Sequence, residues 1–113
     1  MTITYDKFFL PTALSTSAAT LLTVPATSTT TLLRGARMRF TNTSSAPVTV
    51  TAYAVPPASS AASSNAFVYV KNVPVNDYFD VDVPIMSAGA LLQALCSVSS
   101  GVTAHMISGS YFT

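Results

Sequence analysis

Residues 35–57 read GARMRFTNTSSAPVTVTAYAVPP, and two alternating runs lie inside that stretch. In the first, Met38 and Phe40 fall on one face of an extended chain, while Arg37, Arg39 and Thr41 fall on the other. In the second, Val48, Val50, Ala52 and Ala54 alternate with Thr49, Thr51, Tyr53 and Val55. A period of two over both runs specifies strands, and the short polar connection Thr43 to Pro47 predicts that they form one β-hairpin.

The same reading extends outward in both directions. TITYDKFFL (2–10) is expected to run extended until Pro11, and AATLLTV (18–24) until Pro25. The first alternating run begins further back, at LLRGARMRFTN (32–42). Beyond Pro56 and Pro57, ASSAASSNA reads as a surface loop of small residues. FVYVKNV (67–73) is a further strand, and NVPVND after it a turn. YFDVDV sets Phe79, Val81 and Val83 against Asp80 and Asp82. ALLQALCSV and VTAHMISGSYF close the chain as two more strands, the former apolar on both faces and so suited to burial between layers or at a subunit contact. About eight strands with turn signals between them, and no helical period, predict a single all-β domain over residues 1–113. The expected architecture is an antiparallel β-sandwich, jelly-roll-like.

Composition narrows the surface chemistry. Only 8% of the 113 residues are charged, against roughly 25% in an ordinary soluble domain. Serine and threonine supply 31 residues instead, and the net charge is +1. High hydrophobicity with little charge excludes disorder. A hydroxyl-coated surface of this kind suits packing among other subunits better than life as a free monomer, which charge normally keeps apart from its neighbours. The start of the chain has no basic segment ahead of a signal-length apolar stretch, and no run approaches a membrane span, so synthesis in a cytoplasm and no membrane partner are expected.

Residues able to carry chemistry are few. His105 is the single histidine and has no acidic partner or serine elbow near it in sequence, so it is expected to be a partly exposed strand residue rather than a catalytic base. Cys96, also single, sits in an apolar run and is expected to be a buried hydrophobe. Asp80 and Asp82, with Asp77 nearby, offer oxygens for calcium. They lack a glycine-bearing ligand loop, and the chain has no glutamate, so no metal and no cofactor are expected. Arg34, Arg37 and Arg39 form one small basic cluster on a nearly neutral chain, whereas nucleic-acid binders spread charge over a face; no nucleic-acid partner is expected. Arg37 and Arg39 match Asp80 and Asp82 instead, each pair at i and i+2 on a strand, either within a sheet or across a subunit boundary. Tyr53, Tyr69 and Tyr78 are candidate stacking groups for a carbohydrate or receptor, although strand packing is the ordinary role of such tyrosines.

The order of parts also carries a resemblance. LLTVPA, then RFTNTSSAPVTVTAYAVPP, a small-residue loop reaching Asn65, an acidic strand, AGALLQA and a closing VTAHMISG resemble small virion proteins of tailed bacteriophages, over roughly residues 20–109. The resemblance implies a non-enzymatic particle component. A capsid decoration or cement protein stabilising the head lattice comes first, a tail, neck or baseplate component is the alternative, and a receptor- or carbohydrate-binding module is a third reading. It would be assembled in the bacterial host cytoplasm and located in the virion. Its partners would be itself, as a dimer or trimer, and the major capsid protein or other virion proteins. The N-terminal arm 1–12 and the tail 110–113 are expected to dock on neighbouring subunits. The interface residues then expected are Arg37, Arg39, Asp80, Asp82, Tyr5, Phe8, Phe9, Tyr111 and Phe112.

Overall fold

A computed structural model describes residues 3–4, 9–26 and 31–112 of the chain. Its strands are β1 (Ile3–Thr4), β2 (Thr12–Ala13), β3 (Ala19–Thr23), β4 (Leu32–Asn42), β5 (Val48–Val55), β6 (Ala66–Val73), β7 (Tyr78–Asp82), β8 (Met86–Ser87), β9 (Leu91–Cys96) and β10 (Val102–Phe112). The described residues contain no α-helix; a single 3-10 turn at Ser63–Asn65 interrupts the small-residue loop. Asn65 folds that loop back on itself, accepting from the Ala62 N–H at 3.1 Å and donating to the Ser60 carbonyl at 3.2 Å.

Two antiparallel sheets result. One runs β1-β10-β4-β7, with β2 also on β10 and β8 on β4, and the other runs β3-β9-β5-β6. The pairs β5–β6, β4–β7, β3–β9 and β2–β10 nest one outside another, so the chain is a single long hairpin. Rolling that hairpin into two layers brings β4 against β10 and β5 against β9. This is the connectivity of a jelly roll, and the expected β-sandwich is what the chain forms.

The hairpin expected from residues 35–57 does not exist. β4 pairs with β10 and β7 in one sheet, while β5 pairs with β6 and β9 in the other. Residues 43–47 therefore carry the chain from one layer to the other. A polar turn between alternating runs serves either purpose, and burial on both inner faces is gained only by the crossing. The expected first strand, 2–10, does not extend to its predicted end. Among its described residues Ile3–Thr4 are in a strand, while Phe9 and Leu10 lie outside any strand.

Alternation nevertheless assigns most of the faces, the exceptions lying in β5, where Thr51 and Val55 are buried and Ala54 is part-exposed. Met38, Phe40, Val50, Ala52, Leu92, Ala94, Val102 and Ala104 are all fully buried between the sheets. Phe40 stacks on Phe79 of the neighbouring strand, with ring centroids 5.2 Å apart. Within β4 the buried positions jump from Leu33 to Ala36, because Gly35, at φ +63°, adds a residue against β10 and forms a bulge. Cys96 is buried as expected, its thiol donating to the Val98 carbonyl at 2.8 Å.

The crossings are stitched by backbone and side chains. Leu14 N–H donates to the Val102 carbonyl at 2.8 Å, and Cys96 N–H to Ser15 at 2.9 Å, fixing the passage from β2 to β3. Asn42 ends β4 with its side chain turned inward and only 4% exposed. Its Nδ2 donates to the carbonyls of Ala46 (2.9 Å), Val73 (3.0 Å) and Pro74 (3.2 Å), and its Oδ1 accepts from Ser44 N–H and Oγ. One amide thus ties the β4–β5 crossing to the β6–β7 crossing.

Candidate interaction surfaces

The outer face of the β1-β10-β4-β7 sheet carries most of the charge of the described residues. Register sets three rows across β10, β4 and β7: Thr103–Thr41–Tyr78, His105–Arg39–Asp80 and Ser108–Arg37–Asp82. Arg37, Arg39, Asp80 and Asp82 are therefore brought together as the sequence suggested, and within one sheet of one chain. Arg39 grips Asp80 bidentately, Nε to Oδ1 at 2.7 Å and Nη2 to Oδ2 at 3.0 Å. That contact holds the Asp80 carboxyl below its ordinary pKa and the Arg39 guanidinium above its own, the hydrogen bond being the main cause in each case. Arg37 and Asp82 approach only to 4.0 Å, with side chains 52% and 87% exposed, a geometry that adds little to stability.

Arg39 also lies over the ring of Tyr78, with its guanidinium carbon 4.3 Å from the centroid. Tyr78 is a stacking candidate by sequence, and its contact with Arg39 is an addition of the fold. The signal was present: Tyr78 and Asp80 are two apart on one strand and so share a face. His105 is partly buried in the same row as Arg39, in keeping with an ordinary strand histidine.

The terminal candidates divide. Tyr111 and Phe112 end β10 and pair with Thr4 and Ile3, so part of the arm and part of the tail, both expected on neighbouring copies, are hydrogen-bonded to each other within the chain. Arg34 sits over the Phe112 ring at 5.2 Å, and Tyr111 packs against the core. Phe9 is half-buried against the core, whereas Tyr5 and Phe8 lie outside the described residues.

The other sheet differs in kind. Its register pairs along β5 and β9 include Thr51–Leu95, Tyr53–Gln93 and Val55–Leu91, of which Tyr53, Leu91, Gln93 and Leu95 are part-exposed while Thr51 and Val55 are buried, and β3, β5 and β9 contain no Asp, Glu, Lys, Arg or His. Lys71 on β6 is the one charged residue in that sheet, and it reaches back over the Phe79 ring at 5.4 Å. No group of three or more metal-ligating side chains occurs among the described residues.

No protein-family profile matches the chain, and no curated protein and no solved structure matches it either.

Proposed function

We propose that this chain is a non-enzymatic structural subunit of a tailed-bacteriophage particle, in first place a decoration protein that binds the head lattice as an oligomer. The observation that carries the proposal is the division of charge between the two sheets. The arginines and aspartates are concentrated on one outer face, largely neutralised by each other, while the opposite face presents threonine, tyrosine, glutamine and leucine without a charge. An uncharged face of this composition meets a protein neighbour without desolvating an ion, which is the character of the inner part of protein interfaces. The resemblance in sequence to small virion proteins supports the same reading. Its partners are a second copy of this chain and the major capsid protein, and repetition over a shell lets modest contacts act together.

The test is imaging and quantitative composition of purified particles of the phage that encodes the chain. Density distributed over the head lattice is expected, and Leu95→Asp, which alters an outward position on β9, should fold but fail to join the particle. Absence of the chain from particles would end the proposal, and a few copies confined to the tail would replace the head with a tail, neck or baseplate site.

A further inference from the structure

β6 and β7 are the edge strands of their sheets, and they face the same side of the sandwich because only residues 74–77 separate them. Four of the eight large apolar side chains most exposed among the described residues fall on this short stretch: Tyr69, Val70, Val75 and Tyr78. Addition of a partner strand to β6 is opposed by its irregular register and by Val70 at φ +48°, which break the ladder there. What the edge offers is side chains. A cleft of about 360 Å³ opens at the corner, lined by Lys71, Asn72, Asp77, Tyr78 and Phe79 with the Val73–Pro74 backbone. That volume falls within the roughly 300–1,000 Å³ of small-molecule sites.

Three features give the cleft a chemistry. Tyr78 is 53% exposed although Arg39 covers one face of its ring, so the opposite face is open. The ring is also held still, since Arg39 is itself fixed by two hydrogen bonds to Asp80. Around it stand a donor (Lys71), an acceptor (Asp77) and an amide that is both (Asn72), with one positive and one negative charge. The floor is rigid: Asn42 binds the Val73 and Pro74 carbonyls, Asp77 N–H donates to Pro74 at 3.2 Å, and Tyr78 N–H donates to Asp77 Oδ1 at 2.8 Å. A flat immobile aromatic face beside mixed donors and acceptors, with no net charge, complements a pyranose. The C–H face of the sugar is apolar and slightly positive against the negative face of the ring, and its hydroxyls donate and accept.

We infer that the β6–β7 corner is a carbohydrate subsite, taking a neutral hexose or N-acetylhexosamine on the open face of Tyr78 with Asp77, Asn72 and Lys71 on its hydroxyls. This site is separate from the uncharged sheet face and stands whether or not the chain is a particle subunit.

The experiment is titration of the isotope-labelled full chain with the methyl glycosides of glucose, galactose, mannose and N-acetylglucosamine, and with that of N-acetylneuraminic acid as the charged comparison, following backbone amide shifts. Saturable shifts confined to residues 71–79 are expected for at least one glycoside. Tyr78→Ala, at an exposed position that leaves the core intact, should weaken that binding by about ten-fold or more, and Tyr78→Phe should retain it. Loosening the plate with Arg39→Lys should weaken it by less. No saturable shift with any of the four, shifts elsewhere on the sandwich, or undiminished binding by Tyr78→Ala would overturn the inference, as would selection of N-acetylneuraminic acid over all four.

Discussion

The side-chain amide of Asn42 donates to the carbonyl of Val73 at 3.0 Å, joining two places where the chain leaves one sheet for the other. The same nitrogen also reaches Ala46 and Pro74, so a single buried side chain fixes the spacing of the layers at this end. Removing it takes the side-chain donor from the buried Val73 carbonyl and the acceptor from the part-buried Ser44 N–H, losses of about 1–3 kcal/mol each where the group is left unsatisfied, while the Ala46 and Pro74 carbonyls keep Ser44 Oγ and Asp77 N–H. Asn42→Ala should therefore lower unfolding free energy by about 3 kcal/mol, measured by denaturant titration. A change below about 0.5 kcal/mol, the usual size for a surface substitution, would show that the amide is not the tie between the crossings.

Acid should weaken the sheet through Asp80. Its folded pKa is depressed by the hydrogen bonds from Arg39, so the stabilisation is fully present above the unfolded carboxylate pKa of roughly 3.9 and is lost as pH falls through the lower folded value. Denaturation midpoints measured from neutral pH downward should decline over that window, and Asp80→Asn should flatten the decline. Because the pair lies within one chain, Arg39→Asp should destabilise the isolated protein, and the double exchange Arg39→Asp with Asp80→Arg should recover part of the loss.

Val70 is a β-branched residue in the left-handed region, at φ +48°, and is 53% exposed. Such a conformation costs an L residue about 1–2 kcal/mol, while little apolar burial is lost on replacing this side chain. Its N–H still donates to Thr51 Oγ1 at 3.1 Å whatever the side chain. Val70→Asn should raise the thermal midpoint, by an amount corresponding to about 1 kcal/mol. A lower midpoint would mean that Val70 makes contacts outweighing its strain.

Gly101 begins the approach to β10 in a tight place. A Cβ there would lie 3.0 Å from the Val98 carbonyl oxygen and 3.2 Å from Val48 Cγ2. Backbone on one side and a fully buried valine on the other leave little room to yield, so Gly101→Ala should cost about 1–3 kcal/mol. Gly35→Ala offers a comparison of different cause. Its Cβ would meet nothing within 4 Å, and any loss there comes from φ +63° alone. Calorimetry of the two variants separates crowding from backbone strain.

Much of the candidate site was legible in the residues themselves. Arg37 and Arg39, and Asp80 and Asp82, each share a strand face through the two-residue period, and their opposite charges made them natural partners; they are cross-strand neighbours. Tyr78 belongs to the same face by the same period. The corner cleft was not legible, because Lys71 and Asn72 reach it from β6 and Tyr78 from β7, and those strands belong to different sheets.

The all-β class, the low charge and most inward and outward faces were determined by sequence alone, since side-chain alternation is a property of the extended chain and burial acts on each residue in place. Partnership was decided by tertiary structure. Backbone hydrogen bonds carry no sequence label, so Thr43 to Pro47 reads alike as a hairpin turn or as a crossing between layers. The crossing prevails because it places Met38 and Phe40 of β4 opposite Val48 and Val50 of β5 across a shared core. The buried amide of Asn42 then finds its partners on a chain segment more than thirty residues away.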